Sequence, residues 1–365
     1  MYENINNFLK DKEFNDSLKT ELYSEYIKYR EENREDKKQE DNLFLLINVK
    51  NETELQKECN GLIFEKKTNK IVCAAYPDFE NNLLSQDNLT SVEFCEDGTV
   101  LRLYNYKNKW RTATKKCINA AYSHWSSPIS FDTMFWNLFN SNDLEKLDVN
   151  KTYIFILLHT ENVVVVKHTT NKLVYTGSID NLTYEIDNTF IFNDNEYISK
   201  TSNIQKELID FENNNFESFF NPLKRGLILK FKIDNSFKYY KYDFTSFNYV
   251  KDIRGNVPFI RTRFLELLST PDKLNELVKY YPEYEMTYSM IEHNLQLLST
   301  EIYHLYRNSH VKHVIKIQEN DRFFRTIKQL HGQYKKTNTP ITKLDVYNKL
   351  RSLNYNILKA FFDWV

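Results

Sequence analysis

The stretch CEDGTVLRLYNYKNKWRTATKK, residues 95–116, alternates strand-like runs with polar turns. The runs TVLRLYNY and KWRTAT are rich in β-branched and aromatic residues, and a short Lys-Asn turn separates them. Gly98 follows the acidic pair Glu96 and Asp97 and opens the first run. This pattern predicts short antiparallel strands joined by tight turns.

Similar runs fill the chain from residue 43 to about residue 250. They are LFLLINV, GLIFE, KIVCAAY, TYIFILL, VVVVKH, LVYTG, GLILKF and FKYYKY, with Asn, Asp and Lys between them. Two helix-like insertions interrupt the runs near residues 117–139 and 203–213. The order of the runs predicts an α+β fold built on antiparallel sheets.

Both ends of the chain have helical patterns. Residues 1–42 carry apolar and aromatic residues at helical spacing up to Tyr26 and Ile27, before EENREDKKQED interrupts the pattern as a solvated loop. From residue 257 onward the strand-like runs stop, and six amphipathic helical segments follow. The sequence therefore predicts two domains, residues 1–254 with a helical N-terminal segment over 1–42, and an all-helical domain over 255–365.

The composition indicates a globular, intracellular protein. Among 365 residues, 49 Lys and Arg face 50 Asp and Glu, and the net charge of −1 excludes a polycation that wraps nucleic acid. Hydrophobic residues make up 41% of the chain, which excludes global disorder. The longest apolar runs are too short for a membrane span, and the N-terminus lacks a signal-peptide core. We therefore predict a soluble cytoplasmic protein without membrane contact.

Glycine and proline are rare, with 6 Gly and 7 Pro, whereas residues with AT-rich codons such as Asn and Lys are frequent. This skew indicates an AT-rich genome, such as that of a virus or a plasmid. In a chain so poor in glycine, each glycine is expected where a positive φ or a close backbone approach requires it.

The order of several motifs resembles the covalent nucleotidyltransferases, and among them the RNA ligase 1 type of phages and large DNA viruses. That family has an Arg-Gly strand, a basic strand with a Lys-Phe-Phe-Asn-like loop, a Lys-x-Asp-Gly nucleophile motif, a Glu-Gly motif and a Lys-x-Lys motif. The corresponding segments here, in the same order, are residues 60–65, 71–81, 95–99, 224–228 and 238–241, and residues 153–166 look like the strand pair on the adenosine side.

The resemblance covers residues 43–250, with a helical C-terminal domain after it, as in phage tRNA-repair ligases. It implies a ligase-like (ATP-grasp-type) nucleotidyltransferase domain. Such ligases attack the α-phosphate of ATP with an unprotonated lysine, bind a metal through carboxylates and hold the phosphates with two late lysines.

Several catalytic positions of that family hold other residues in this chain. Glu96, Asp97 and Gly98 match the nucleophile motif, and Lys241 matches the second late lysine. The replaced positions are Cys95 at the nucleophilic lysine, Asn60 at an arginine, Asp78 at a lysine, Phe155 and Arg225 at carboxylates, and Tyr239 at the first late lysine. We therefore predict a degenerate member without adenylyl transfer and without a cofactor; ATP and Mg²⁺ are expected only for an active ligase.

The same alignment predicts a residual nucleotide pocket. Its candidate residues are Asn60, Asp78, Arg102, Lys115, Lys116, Arg225, Gly226 and Lys241. Lys115 or Lys116 could replace the lost nucleophile in a divergent active ligase. Cys95 could also act as a thiol nucleophile with His159 or His168 as its base, although an inert buried thiol is the simpler interpretation.

No metal site or disulfide framework is predicted. His310 and His313 are three residues apart, but no nearby Asp, Glu or Cys completes a ligand set. The four cysteines form no CxxC pair, and four are too few to build a disulfide scaffold in a chain of this length.

The segment 301–343 carries nine Lys and Arg against three acidic residues, with aromatic residues interleaved. Basic and aromatic side chains together suit phosphate contacts and base stacking. The candidate RNA-binding residues are Arg307, Lys312, Lys316, Arg322, Arg325, Lys328, Lys335 and Lys336. Arg322, Arg325, Lys328 and Lys336 are expected to share one helix face, with Tyr334 nearby.

The sequence leaves three functions open. The first is a non-catalytic protein that binds structured RNA, above all tRNA, and that protects against an RNA-cleaving toxin by shielding the RNA or binding the nuclease. The second is an active, divergent ATP-dependent RNA ligase. The third is a protein-binding subunit of a viral or plasmid RNA-processing complex.

Overall fold

The computed structural model describes residues 1–31, 42–192, 198–200, 203–204, 224–234 and 236–362. The chain consists of two compact units, Met1–Asn248 and Tyr249–Val365. The division between them falls inside helix α5 (Thr245–Arg254), a few residues before the boundary predicted at 254–255. Residues 32–41 of the predicted loop and 205–213 of the predicted insertion lie outside the described residues.

The first sheet has four antiparallel strands in the order β1-β2-β3-β4. The strands are β1 (Ile27–Glu31), β2 (Leu43–Asn48), β3 (Asn60–Glu65) and β4 (Ile71–Cys73), and the accompanying helices are α1 (Glu3–Leu9), α2 (Asp16–Ser24) and α3 (Glu54–Glu58). The helical pattern predicted up to Ile27 ends earlier than expected. Tyr26 has a left-handed φ of 57°, which turns the chain out of α2 so that β1 pairs with the apolar strand β2.

The second sheet has the order β10-β9-β8-β6-β7, with β11 parallel to β9. Its strands are β6 (Thr99–Tyr106), β7 (Lys109–Thr114), β8 (Lys151–Leu158), β9 (Lys172–Asp180), β10 (Ile186–Asp187) and β11 (Ile198–Lys200). Lys107 and Asn108 both have the left-handed φ that a tight two-residue hairpin requires, and they join β6 to β7 as predicted. Helix α4 (Phe131–Trp136) packs Met134 and Phe135 into the aromatic core on one face of this sheet.

The run VVVVKH does not form the predicted strand. The Asp97 carboxylate accepts hydrogen bonds from the backbone N–H groups of Val165 and Val166, both at 2.8 Å, and His168 Nε2 lies 2.7 Å from the Asp97 carbonyl oxygen. These contacts hold residues 165–168 as a loop around Asp97. The strand that pairs with β8 is therefore β9, which begins at Lys172.

The third sheet is antiparallel, with the order β12-β5-β13-β14. Its strands are β5 (Leu89–Cys95), β12 (Asn203–Ile204), β13 (Gly226–Ile233) and β14 (Ser236–Asp243). The first two residues of the predicted helical insertion at 203–213 form strand β12 and are not helical. β5 is a strand that the sequence pattern does not predict, and it pairs with β13, which lies more than a hundred residues later in the chain.

The C-terminal unit is helical, as predicted. Its helices are α6 (Ile260–Leu267), α7 (Pro271–Tyr280), α8 (Glu285–Tyr306), α9 (Phe324–Thr337), α10 (Lys343–Arg351) and α11 (Tyr355–Phe361). Asn338 ends α9 with a left-handed φ of 53°, and a capping box of Thr342 and Asp345 starts α10. Among the described residues, no helix combines the length and the apolar character that a bilayer crossing needs.

Candidate functional site

A pocket of about 250 Å³ lies between the second and third sheets of the N-terminal unit. The second sheet contributes Val100, Arg102, Ile154, Ile156 and Thr176, the third contributes Glu93, Ile228, Lys230 and Tyr239, and Asn60, Lys115 and the segment 75–79 complete the lining. Because alternate residues of a strand share one face, each strand presents every second side chain to the pocket. The pocket therefore has an apolar interior and a few charged groups.

On the face that includes the pocket residues Glu93, Ile228 and Lys230, the third sheet arranges its residues in cross-strand rows. The rows are Cys95–Gly226–Asp243, Glu93–Ile228–Lys241 and Ser91–Lys230–Tyr239. A Cβ at Gly226 would collide with the Tyr242 carbonyl oxygen, so only glycine fits in the first row. Four predicted site residues, Cys95, Arg225, Gly226 and Lys241, thus lie together at one end of this sheet face.

The Cys95 thiol is buried beside an ion pair. Arg225 donates from Nε to Asp243 Oδ1 at 2.8 Å and from Nη2 to Asp243 Oδ2 at 3.2 Å, and its Nη1 lies 3.9 Å from Asp97 Oδ1. Burial raises the pKa of the Cys95 thiol to about 11, although the positive charges of Arg225 and Lys241 oppose that shift. The thiol is therefore protonated at neutral pH and is a poor nucleophile.

The histidines considered as bases for Cys95 have other contacts. His159 Nδ1 accepts a hydrogen bond from the Glu161 N–H at 3.2 Å, and His168 contacts the Asp97 carbonyl group. Burial lowers the pKa of His159. No hydrogen bond from the Cys95 thiol to either imidazole occurs in the described structure, where the thiol instead contacts the Glu96 carbonyl oxygen at 3.9 Å.

Alkylation of Cys95 in the native protein is expected to be slow at neutral pH and to accelerate with pH. Because the thiolate is the reactive form, the rate with iodoacetamide should rise about tenfold per pH unit up to the pKa near 11. Pulse labelling followed by peptide mass spectrometry measures this rate. Cys117, which is partly exposed, serves as the internal reference, and Cys95 labelling as fast as that of Cys117 at pH 7 would contradict a buried, protonated thiol.

Acidic side chains that line the pocket are already bound to donors. Glu93 Oε1 lies 2.6 Å from Lys230 Nζ, and Asp78 Oδ2 lies 3.3 Å from Lys115 Nζ and 2.8 Å from Asn48 Nδ2. Burial opposes the ionisation of Asp78, but the Asn48 hydrogen bond and the Lys115 charge outweigh it and lower the pKa. These residues do not fit a catalytic metal, and the described part of the chain holds no group of three or more His, Cys, Asp or Glu placed to bind one.

Strand β8 directs Phe155 away from the pocket. Ile154 and Ile156 line the pocket, whereas Phe155, between them, faces the aromatic core on the other side of the sheet. Its ring centroid lies 5.3 Å from that of Phe135 and 5.4 Å from that of Tyr175. Phe155, which the resemblance places at a family carboxylate, is therefore not a pocket residue, and the pocket-facing positions of this strand hold isoleucine.

Arg102 is a buried cation that connects two sheets. Its side chain is 2% exposed, lines the pocket and donates to the carbonyl oxygen of Gly61 in β3. A second hydrogen bond joins Arg102 Nη2 to the Thr114 carbonyl oxygen in β7 at 2.7 Å. Within the described part of the chain no carboxylate pairs with it, so its charge is balanced by carbonyl dipoles.

Two further predicted pocket residues, Asn60 and Lys116, lie in different depressions of the N-terminal unit. Asn60 lines the pocket and donates from Nδ2 to the Tyr76 carbonyl oxygen at 2.9 Å, and its Oδ1 is buried without a hydrogen-bond partner among the described residues. Lys116 instead lines a separate surface depression with Tyr29 and Arg30. Of the predicted pocket residues, the pocket therefore brings together Asn60, Asp78, Arg102 and Lys115, whereas Lys116, Arg225, Gly226 and Lys241 are not among its lining residues.

Reasoning from the sequence missed most of the lining residues, among them Tyr76, Glu93 and Lys230. Tyr76 and Tyr239 approach with ring centroids 5.4 Å apart, and Glu93 and Lys230 form an ion pair across β5 and β13. For Glu93 and Lys230, the available signal was a single charged residue inside each of the β-rich stretches SVEFC and GLILKF. A charge inside a β-rich run marks the polar side of that strand.

The predicted RNA-binding residues of the C-terminal unit fall into two groups. Arg325, Lys328, Lys335 and Lys336 are exposed on α9, and Lys312 and Lys316 are exposed in the segment between α8 and α9. Arg322 precedes α9, and its guanidinium donates to the Phe361 carbonyl oxygen, so it does not share the α9 face. Arg307 lies over the Tyr303 ring, 5.9 Å from its centroid, and Tyr334 stacks on His331.

Two viral proteins are similar to this chain in sequence. An immediate-early protein ICP-46 homolog of Invertebrate iridescent virus 3 is 23% identical over 295 residues, which cover 71% of this chain and 63% of the relative. The ICP-46 homolog of Invertebrate iridescent virus 6 is 22% identical over 313 residues, which cover 79% of this chain and 68% of the relative. The chain thus spans about two thirds of the length of these relatives. No family model matches the chain.

Solved structures similar to this chain include two ligases. A putative ATP-dependent DNA ligase from Aquifex aeolicus matches with a TM-score of 0.43 and 14% identity, covering 88% of this chain and 80% of that chain. An archaeal ATP-dependent RNA ligase matches with a TM-score of 0.43 and 10% identity, covering 70% of this chain and 65% of that chain.

Proposed function

We propose that the N-terminal unit is a nucleotidyltransferase-type scaffold that no longer transfers a nucleotide, and that the protein binds structured RNA without sealing it. The observation that carries the loss of chemistry is the environment of Cys95. A buried thiol with a pKa near 11 occupies the position at which the resembled ligases need an unprotonated lysine amine.

The charges of the third sheet and of the pocket lining further support this proposal. Arg225 stands where a carboxylate is expected, and it pairs with Asp243 through two hydrogen bonds. Glu93 and Asp78 would each have to give up a lysine partner to bind a divalent cation, which would leave Lys230 and Lys115 without that counter-charge. Neither carboxylate is therefore readily available to hold a catalytic metal.

The RNA part of the proposal rests on the exposed cations of α9 and of the segment before it. In a protein with a net charge of −1, a local cluster of lysine and arginine is the feature that suits a polyanion. Transfer RNA is the first ligand to test, because the motif order resembles tRNA-repair ligases. Both relatives are named as immediate-early proteins of viruses, which supports a viral origin for this chain. Protection against an RNA-cleaving toxin stays a prediction.

Label transfer from nucleotide to protein is expected to be absent. The purified chain, incubated with α-labelled ATP or GTP and Mg²⁺ or Mn²⁺, should give no labelled band on a denaturing gel, because a protonated thiol does not form the phosphoramidate of a lysine. An active ATP-dependent ligase in the same buffer is the positive control.

The variants Lys115→Ala and Lys116→Ala make this experiment decisive. A labelled band that either variant abolishes would contradict the proposal and identify an active divergent ligase. A band that both variants retain would also contradict it, and peptide mapping would then locate the nucleophile.

Binding of structured RNA is expected without any change in the RNA. A gel shift with tRNA should show a complex at low salt that weakens as salt rises, since phosphate contacts release counterions. The recovered RNA should be neither cleaved nor joined. Absence of binding to any folded RNA, together with co-purification of an RNA-processing protein, would overturn the RNA proposal in favour of a protein-binding subunit.

A further inference from the structure

Gly332 is unusual among the six glycines of this chain. At each of the other five, an added Cβ would meet another atom at 2.9 Å or closer, so close packing explains the glycine. At Gly332 no described atom other than the neighbouring residues and the nearby backbone of the same helix lies within 4 Å of such a Cβ. Gly332 lies in the interior of α9, where glycine is a poor helix former. Packing of the described chain therefore does not account for this glycine.

The surroundings of Gly332 on the helix are basic. With 3.6 residues per turn, Arg325, Lys328, Lys335 and Lys336 all lie within about 60° of Gly332 around the helix axis. We call these four residues and Gly332 the α9 basic stripe. The buried residues of the helix, Thr326, Ile327 and Leu330, lie on its other side. The stripe is therefore the outward face of α9, with the glycine at its centre.

The composition of the α9 basic stripe suits a phosphodiester better than a protein. Helix α9 contains no acidic residue, and the four cations form no ion pair within the described residues. The stripe also contains no apolar or aromatic side chain, whereas the centre of a protein–protein interface is enriched in such anchors. From Arg325 to Lys336 it extends about 16 Å along the helix axis, which is the length of several nucleotides.

We propose that the sugar–phosphate backbone of the RNA ligand crosses α9 directly over Gly332, with Arg325, Lys328, Lys335 and Lys336 on its phosphates. This inference rests on the RNA binding proposed above and narrows it to one helix face. The missing side chain lets the strand approach the helix backbone, so that four flanking cations reach phosphate oxygens together. A side chain at this position would hold the strand away from all four.

The test compares substitutions at the centre of the stripe with the same substitution beside it. Gly332→Leu is expected to weaken tRNA binding at least about fivefold in a filter-binding titration, whereas Gln333→Leu, exposed on the same helix but about 100° away, should stay within twofold. Gly332→Ala should raise the thermal midpoint by about 2–4 °C, because alanine favours the helix, while it weakens binding. Opposite changes in stability and affinity are not expected of a merely structural glycine.

Two double variants that remove the same charge from different surfaces complete the experiment. Lys328→Ala with Lys335→Ala should weaken binding at least about tenfold and lower the slope of log K against log salt by about 1.5 to 2. Lys343→Ala with Lys359→Ala removes the same charge from exposed positions on α10 and α11 and should change affinity by less than about threefold.

The outcomes separate this inference from the proposed function. If the wild-type chain binds tRNA and the Gly332→Leu and Lys328/Lys335 variants bind equally well, the inference is overturned and RNA binding stands. If the wild-type chain binds no folded RNA at low salt, the proposed function itself fails. If the stripe binds polyglutamate in place of RNA with the same dependence on Gly332, the phosphodiester occupant is wrong.

Discussion

Replacement of Arg102 by alanine is expected to lower the free energy of unfolding of the N-terminal unit by about 3–5 kcal/mol. The guanidinium is almost fully buried and donates to the carbonyl oxygens of Gly61 and Thr114. Truncation leaves both carbonyl groups without this donor and opens a cavity between the first and second sheets. Each effect destabilises a folded core by itself, and here both act at one position.

Urea unfolding followed by tryptophan fluorescence measures this change, because Trp110, Trp125 and Trp136 all lie in the N-terminal unit. The matched control is Arg30→Ala. Arg30 also donates to a backbone carbonyl oxygen, that of Lys116 at 2.8 Å, but it is exposed, so its loss should cost about 0.5 kcal/mol or less. A loss below about 1 kcal/mol for Arg102→Ala would show that the sheets hold together without this residue.

Replacement of Phe155 by glutamate is expected to prevent folding of the N-terminal unit, and Phe155→Ala to cost about 3–5 kcal/mol. The ring is fully buried and packs against Phe135, Phe139, Tyr175 and Phe192. A carboxylate placed among these rings would move from water into a largely apolar core, which carries a large desolvation cost. The substitution that the resembled family would suggest for a metal ligand therefore destroys the core and does not rebuild a site.

Phe237→Ala is the control for this series. It makes the same truncation in strand β14, but Phe237 is 40% exposed, so the expected loss is about 1 kcal/mol or less. The soluble yield and urea midpoint of each variant give the comparison. A folded Phe155→Glu protein with a midpoint near that of the wild type would mean that this side chain faces the pocket after all.

Local patterns were sufficient for the predicted strands of the hairpin β6–β7 and for the helices after residue 257. In these segments the local sequence is enough to predict the secondary structure. Turn residues such as Lys107 and Asn108, and the amphipathic period of a helix, both depend on only a few neighbouring residues. The α+β class with antiparallel sheets and a helical C-terminal unit followed from these signals.

Elements that depend on distant partners were predicted poorly. β1 carries a helical apolar pattern but becomes a strand because β2 offers it a hydrogen-bonding edge. The run VVVVKH has high strand propensity, but its backbone N–H groups are bound by Asp97 in place of a neighbouring strand. Helix α5 lies where a strand pattern was expected to continue. Side-chain and edge contacts outweighed local propensity in the first two cases.

The sequence by itself determined which residue types occupy the motif positions, and with them the absence of a lysine at position 95 and of a carboxylate at position 225. Only the tertiary structure decided which side chains face the pocket. A strand alternates its faces with a period of two, so one residue of register moves Phe155 out of the pocket and Ile154 and Ile156 into it. The pairing of β5 with β13, far apart in the chain, set Arg225 and Asp243 beside Cys95, because sheet hydrogen bonds join whichever strands the fold brings together.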